Sequence, residues 1–228
     1  MNLLCGSFAV VVALMYNDLT LAFWLIVAGI VFDFFDGFVA RLLHSSSAIG
    51  VQLDSLADVI TSGLAPAAVL WQVCLQTEPC WLPETWKLGY GVFVLAAFSA
   101  LRLAKFNIDE TQTVEFCGLP TPAGSLLCAS LGMLWQQGML ALSSDGVLLI
   151  AVLTSLLLVS PIRMFALKFH GFGWRGNEVR YLFLLASIVL IIILRTYAIP
   201  VIIVLYIVVS AVRWLCMHSG NPDKAPKA

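Results

Sequence analysis

The sequence predicts an all-α integral membrane protein, folded as a bundle of about eight transmembrane helices. Of the 228 residues, 61% are hydrophobic and 11% are charged, and the mean hydropathy is +0.98, whereas about a quarter of the residues in soluble domains are charged. Short polar breaks separate apolar runs of roughly membrane-spanning length. These runs lie at about 2–16, 20–42, 49–72, 88–107, 121–142, 146–163, 179–195 and 197–216.

Several other classes of protein do not fit this pattern. A membrane β-barrel would alternate apolar and polar residues in segments of about ten, but these runs are continuously apolar. The formal net charge of -1 argues against a nucleic-acid partner. The 6 cysteines include no Cys-x-x-Cys pair, so neither a zinc module nor a disulfide framework is predicted. We expect one transmembrane domain over residues 1–217 and a disordered cytoplasmic tail over residues 218–228.

The distribution of lysine and arginine predicts the orientation of the bundle. Only Lys87 and Arg195 fall in the breaks on one side of the predicted bundle, and all the others fall on the opposite side. Because positive residues accumulate on the cytoplasmic side, we expect both termini, and the loops after the second, fourth and sixth helices, in the cytoplasm. The residues on that side are Arg41, Arg102, Lys105, Arg163, Lys168, Arg175, Arg180, Arg213, Lys224 and Lys227.

Four aspartates in or at the ends of the second and third apolar runs are the most informative feature of the sequence. They are Asp33, Asp36, Asp54 and Asp58. An acid near the centre of a membrane helix costs about 2.5–3.5 kcal/mol on insertion scales. Their spacing places the first two on one helix face and the last two on one face of the next helix. The short break between the runs would bring the two faces together.

Carboxylates that converge in this way repel one another and need cations between them. Oxygen ligands favour Mg²⁺, Mn²⁺ or Ca²⁺ over zinc, and metal ions about 3.5–4 Å apart can clamp a phosphoryl group during displacement. Gly37 and Ala40 keep the acidic face free of bulky side chains, and Arg41 adds a planar fork that suits phosphate. Alone, the two small residues would fit close helix packing. Between two carboxylates and an arginine they favour a phosphate site.

The acidic pattern resembles the signature of the CDP-alcohol phosphotransferase family at every position. It is Asp33-x2-Asp36-Gly37-x2-Ala40-Arg41-x8-Gly50-x3-Asp54-x3-Asp58. The resemblance implies transfer of a substituted phosphate from a CDP-linked donor to an alcohol, with release of CMP, at a two-metal site facing the cytoplasm. It implies that the four aspartates hold two divalent ions, Mg²⁺ or Mn²⁺, and that Asp58 is also the general base. The residues implied for CDP binding are Asp36, Gly37, Ala40, Arg41 and Gly50.

Further segments narrow the resemblance to the CDP-diacylglycerol-serine O-phosphatidyltransferase branch of that family. These segments lie at 2–6, 54–66, 102–107, 118–123 and 172–180. The branch implies CDP-diacylglycerol and L-serine as substrates, with phosphatidylserine and CMP as products. It also implies a homodimer, surrounded by membrane lipids in a bacterial cytoplasmic membrane.

The acceptor site is less well defined by the sequence. A serine carboxylate suits a guanidinium or ammonium group. The candidates are Arg102, Lys105, Arg163 and Lys168, with Asn107 as an uncharged candidate. Each cation is explained more simply as an anchor of the positive-inside pattern. Glycerol 3-phosphate and inositol phosphate therefore stay open as alternative acceptors.

One function outside this class also places acids in a membrane. A divalent-cation transporter would do so, but it would not need Gly37, Ala40 and Arg41 at their positions beside the acids. Its pathway is typically built from broken helices in two repeated halves, and the sequence has no such repeat.

Overall fold

The computed structural model describes residues 1–43, 47–81, 89–108, 115–165 and 177–220, and these form a helical bundle. The helices are α1 (Asn2–Val11), α2 (Leu19–Leu42), α3 (Ala48–Asp58), α4 (Ala65–Gln76), α5 (Val94–Ile108), α6 (Thr121–Gln136), α7 (Ser144–Leu158), α8 (Glu178–Leu194) and α9 (Ala198–Gly220). Wider π-helical turns extend α1 over Val12–Tyr16 and join α3 to α4 over Val59–Leu64. Tighter 3₁₀ turns precede α5 at Gly89–Phe93 and join α8 to α9 at Arg195–Tyr197.

In the described ranges, 4 helices are long and apolar enough to cross a membrane. They are Leu19–Ala40, Ile49–Gln76, Gly89–Ile108 and Glu178–Cys216. The last contains both α8 and α9, and it is interrupted at Arg195, where φ is +47° and from which α9 packs against α8. The prediction of a mainly helical membrane protein is therefore confirmed.

Local side-chain bonds explain where several helices begin. Asp18 Oδ1 accepts a hydrogen bond from the Leu21 N–H at 2.8 Å at the start of α2. Ser47 Oγ accepts one from the Gly50 N–H at 3.0 Å at the start of α3. Both satisfy backbone donors that the first turn of a helix leaves without an intrahelical acceptor. The helix boundaries are thus encoded by short polar residues next to apolar runs.

Two helices end several residues before the predicted runs do. The run at 121–142 yields α6, which ends at Gln136 shortly before Gly138 adopts a φ of +69°. The run at 146–163 yields α7, which ends at Leu158, because Pro161 cannot donate the backbone hydrogen bond that a longer helix needs. At the C-terminal end, α9 continues to Gly220 and so includes the first three residues of the tail expected at 218–228. Residues 221–228 lie outside the described ranges.

The helix α4 forms the centre of the bundle. It belongs to the span Ile49–Gln76, in whose most apolar stretch 61% of the residues are buried. The corresponding share in the span Glu178–Cys216 is 17%. The buried residues of α4 pack among side chains from α1, α2, α6 and α7. Small residues, Ala65, Ala67 and Ala68, occupy the first turn of α4, as is typical of membrane helices that approach their neighbours closely. The peripheral pair α8 and α9 instead exposes long aliphatic side chains.

A short antiparallel ladder joins the loops that follow α5 and α7. It pairs β1 (Glu115–Cys117) with β2 (Arg163–Phe165), which a uniformly helical prediction did not anticipate. Gly118 follows β1 with a φ of +77°, and its N–H donates to the Ile162 carbonyl at 2.9 Å. A side chain there would collide with the Leu158 backbone. The ladder and this glycine hold the two loops together at one end of the bundle.

Candidate active site

Three of the predicted aspartates come together where α2 meets α3. One carboxylate oxygen from each of Asp33, Asp36 and Asp54 lies within 4.8 Å of the other two. Asp36 and Asp54 are exposed, and Asp33 is half-buried. A divalent ion sits roughly 2.0–2.6 Å from its oxygen ligands, so ligands on opposite sides of one ion are about 4–5 Å apart. The spacing of these oxygens therefore suits a shared hard cation.

Asp58 lies one helical turn beyond Asp54, at the end of α3. Its Oδ1 accepts a hydrogen bond from the Asn2 side-chain nitrogen at 2.8 Å. The same nitrogen donates to Asp33 Oδ1 at 3.1 Å. Asp58 is thus linked to the three-carboxylate cluster through a neutral side chain from a third helix.

Asn2 is a site residue that reasoning on the acids missed. The sequence segment 2–6 contributed only to the resemblance, and no role was predicted for the asparagine. Its side chain is 3% exposed. The signal that could have revealed it is an amide side chain at the start of an otherwise apolar helix, because buried polar groups need partners.

The residues predicted to receive the CDP moiety border an open face. A Cβ added at Gly37 would meet no atom within 4 Å. Gly50 lies in the exposed first turn of α3, and Ala40 in α2 is partly exposed. Arg41 belongs to the last turn of α2, and its side chain lies outside the described part of the chain. The helices thus leave room beside the carboxylates for a bulky ligand.

A π-helical turn, Val59–Leu64, begins directly after Asp58. It packs against α1 and α5. A Cβ on Gly63 would lie 3.0 Å from Ser99 Cβ and 3.3 Å from Ala96 Cα. Such turns occur frequently at functional sites, and no periodicity in the sequence signals one. The turn therefore brings α1 and α5 against the segment that follows Asp58.

A second candidate region is a cavity of about 380 Å³ next to α5. Its walls are formed by Arg102, Lys105, Phe106, Ile108, Cys117, Leu158, Val159, Ser160 and Pro161. They come from the end of α5, the β1 strand, the last residue of α7 and the residues that follow it. The cavity therefore combines two cations with a largely apolar wall.

Arg102 is the buried cation of this cavity, with 8% of its surface exposed. Its Nη1 donates to Thr121 Oγ1 at 2.8 Å, and its Cζ lies 6.0 Å from the centre of the Phe106 ring. Its Nε–H has no acceptor among the residues that the structure describes. Arg102 and Asp58 are close enough for their charges to interact. A buried guanidinium with an unused donor is a candidate anion-binding group.

The remaining acceptor candidates are placed differently. Lys105 lines the cavity from an exposed position. Asn107 donates to Ser55 Oγ at 2.8 Å and so ties α5 to α3. Arg163 lies exposed in β2 and does not line the cavity, and Lys168 lies outside the described ranges. Of the four candidates within the described ranges, Arg102 and Lys105 line the cavity.

Comparison with known proteins gives a match over most of the chain. Residues 1–162 match the family model described as CDP-alcohol phosphatidyltransferase. A Bacillus subtilis protein named CDP-diacylglycerol-serine O-phosphatidyltransferase is 33% identical over 170 residues, which cover 75% of this chain and 88% of that protein. Proteins of the same name from Helicobacter pylori and Mycobacterium tuberculosis are 31% and 35% identical. These matches cover 86% and 89% of this chain, and 80% and 73% of those proteins.

Proposed function

The chain belongs to the CDP-alcohol phosphatidyltransferase family, and we propose that it transfers the phosphatidyl group of CDP-diacylglycerol to the hydroxyl of L-serine. The products are phosphatidylserine and CMP. The observation that carries the proposal is the convergence of Asp33, Asp36 and Asp54, whose carboxylate oxygens lie within 4.8 Å of one another beside an open helix face. The serine acceptor is supported by the shared name of the relatives from three bacteria.

The chemistry of the donor set fits two divalent ions, Mg²⁺ or Mn²⁺. Asp33, Asp36, Asp54 and Asp58 offer only oxygen ligands, which these ions prefer. When bound, the ions would neutralise the carboxylates and stabilise negative charge on the diphosphate of the donor. Without them, four ionised carboxylates in this space would repel one another strongly.

In the proposed reaction, Asp58 accepts the proton of the serine hydroxyl. The serine oxygen forms a bond to the phosphorus that carries the diacylglycerol, and the bond from that phosphorus to the oxygen of CMP breaks. CMP leaves with the electron pair of that bond. A hydroxyl is a weak nucleophile at neutral pH, so a carboxylate within hydrogen-bond reach supplies the base that it needs. Of the two carboxylates on α3, Asp58 is the more buried. It accepts a hydrogen bond from Asn2 on α1 and interacts electrostatically with Arg102.

The open face beside Gly37 is the proposed site of the cytidine diphosphate. Asp36, Ala40, Arg41 and Gly50 border the same space in our proposal. Exposed aromatic side chains at Phe34 and Phe35 flank Asp33 and Asp36 along α2. The two acyl chains of the donor can therefore remain in lipid while its head group reaches the carboxylates, and the bundle needs no internal cavity for them.

Arg102 and Lys105 are the proposed ligands of the serine carboxylate. Arg102 has an unused donor and interacts electrostatically with Asp58, which would place the acceptor carboxylate near the base. Asn107 and Arg163 fit this role less well, because the former bonds to Ser55 and the latter lies outside the cavity lining. This assignment distinguishes serine from acceptors that lack a carboxylate.

We place the reaction at the cytoplasmic surface of a bacterial membrane, with eight spans and both termini inside. The hydrogen bond from Asn107 to Ser55 and the β1–β2 ladder put Arg102, Lys105 and Arg163 at the same end as the acids. Positive residues concentrate on the cytoplasmic side. Residues 1–217 would form this domain as a homodimer, and residues 218–228 its cytoplasmic tail.

Lipid mass spectrometry after incubation with isotope-labelled acceptors tests this function. Purified protein supplied with CDP-diacylglycerol should place label from serine in phosphatidylserine. Glycerol 3-phosphate and inositol phosphate, the alternative acceptors, should give no labelled lipid. Label from either alternative but not from serine would retain the family chemistry and refute the serine assignment.

A further inference from the structure

The start of α1 contributes a side chain to the acidic site. Asn2 is 3% exposed, and α1 packs against both α2 and the π-helical turn that follows Asp58. Neighbouring positions on this helix, including Leu3 and Leu4, are exposed and apolar. Asn2 therefore faces inward at the deep end of the carboxylate cluster, on a helix that otherwise presents apolar residues.

Both amide hydrogens of Asn2 are used by carboxylates from different helices. The side-chain nitrogen lies 3.1 Å from Asp33 Oδ1 on α2 and 2.8 Å from Asp58 Oδ1 on α3. A primary amide has two donor hydrogens, so these two bonds exhaust its capacity. A neutral donor that bonds to both acids reduces the repulsion between their charges.

The position of Asn2 is held by its own backbone. Its carbonyl accepts a hydrogen bond from Thr61 Oγ1 at 3.1 Å, and Thr61 is completely buried in the π-helical turn. Gly6 and Gly29 make this approach possible. A Cβ on Gly6 would lie 2.7 Å from Thr61 Cα, and one on Gly29 would lie 2.6 Å from Thr61 Cγ2. Because Gly6 in α1 and Gly29 in α2 have no side chains, both helices can pack closely against Thr61 in the turn.

The amide is not the residue that packing alone would select. Asn2 Oδ1 is buried and has no hydrogen-bond partner within the described part of the chain. A buried acceptor without a partner destabilises the folded protein, and a leucine of similar size would avoid that cost. The feature that leucine lacks is the donor shared by Asp33 and Asp58.

From this geometry we infer that Asn2 is a positioning residue, which fixes the metal ligand Asp33 and the base Asp58 relative to each other. The inference rests on the proposed function, because it assigns a role toward the divalent ions and the acceptor proton. Residues that hydrogen-bond to metal ligands orient them, and their loss typically lowers metal affinity or activity by about 10–100-fold. Asn2 would act through the two carboxylates and would not touch the substrates.

Manganese binding tests the inference separately from activity. Purified full-length protein is titrated with Mn²⁺, and free Mn²⁺ is followed by electron paramagnetic resonance. Asn2→Leu removes the donor and also the unpaired Oδ1. We expect it to lower Mn²⁺ affinity and turnover by about 10–100-fold, to raise the Mn²⁺ concentration for half-maximal activity, and to leave the thermal unfolding temperature near that of the wild type. Asn2→Ala should show the same loss of affinity.

Ser7→Ala is the matched control on the same helix. Ser7 is exposed, and its hydroxyl donates a hydrogen bond to the Leu3 carbonyl in the preceding turn, at 2.8 Å. This variant should bind Mn²⁺ and turn over like the wild type. Wild-type Mn²⁺ affinity in Asn2→Leu would overturn the positioning role, as would loss of folding in both Asn2 variants, which would make the role structural. A wild-type protein that binds no Mn²⁺ would instead refute the proposed function itself.

Discussion

Two groups of opposite charge lie at the same end of the bundle, and they are built in different ways. The carboxylates of Asp36 and Asp54 are exposed on neighbouring helices, α2 and α3, which follow each other directly in sequence. Arg102 is buried, in a cavity assembled from α5, β1 and the end of α7. The open group can receive ions and a large head group. The buried cation can select a small acceptor by its charge.

The difference explains what each group contributes to the proposed reaction. Open carboxylates tolerate different ions and ligands because solvent and substrate can rearrange around them. A buried guanidinium with an unused Nε–H tolerates few partners, since an acceptor without a negative group would leave it unpaired. We therefore expect changes in the acidic group to affect turnover and changes at Arg102 to affect choice of acceptor.

The largest expected effect separates the base from the metal ligands within the acidic group. Asp58→Asn should lower kcat by roughly 10²–10⁴-fold, because loss of a general base has this magnitude, while the KM for CDP-diacylglycerol changes little. Asp33→Asn should weaken Mn²⁺ binding and donor binding together. Steady-state kinetics with Mn²⁺ titration checks both variants. Equal loss of donor affinity in the two would remove the distinction between the base and the ligand.

A smaller effect tests the buried cation against an exposed one. Arg102→Ala should raise the KM for serine by about 10–100-fold, since a hydrogen bond to a charged group contributes about 1.5–3 kcal/mol, and should leave the KM for CDP-diacylglycerol nearly unchanged. Arg163→Ala removes a cation that lies outside the cavity and should leave both values unchanged. The same kinetic assay on membrane-inserted protein checks them. An unchanged serine KM in Arg102→Ala would reduce that residue to a structural role.

The smallest expected effect compares two glycines, one on an open face and one in a tightly packed contact. A Cβ at Gly37 meets open space, whereas one at Gly63 lies 3.0 Å from Ser99 Cβ. Gly37→Ala should keep the unfolding temperature and raise the KM for CDP-diacylglycerol about tenfold, which corresponds to about 1.4 kcal/mol. Gly63→Ala should instead destabilise the fold, because overpacking costs about 1–3 kcal/mol. Donor KM and thermal unfolding, measured on both variants, should show opposite responses, and a shared response would contradict the proposed CDP face.

The acidic group was predictable from the sequence because its residues repeat at helical spacing on two adjacent helices. Asp33 and Asp36 are one turn apart, as are Asp54 and Asp58, and the break between α2 and α3 is short. The helical rods were predictable for a related reason, since apolar runs of membrane length have few alternatives. Their ends were less predictable, as Gly138 and Pro161 show.

The rest of the site depends on contacts between distant parts of the sequence. Arg102 donates a hydrogen bond to Thr121, which lies beyond β1 in the sequence. Asn2 donates one to Asp58, which lies 56 positions later. No spacing rule connects such pairs. The π-helical turn at Val59–Leu64 is also invisible to a period of 3.6 residues, although it aligns α1, α5 and Asp58. From the sequence alone, Arg102 could be either a buried site residue or a membrane anchor. The contacts of its side chain were needed to decide between the two.

Release of CMP from CDP-diacylglycerol, with serine and divalent ions each supplied or omitted, tests the central claim most directly. Purified protein should release CMP only when serine and either Mn²⁺ or Mg²⁺ are present together, because the hydroxyl is the nucleophile and the carboxylates need cations to coexist. Excess chelator should abolish the release, and added Mn²⁺ should restore it. Undiminished release of CMP in excess chelator, or equal release without serine, would contradict metal-dependent transfer to serine at this site.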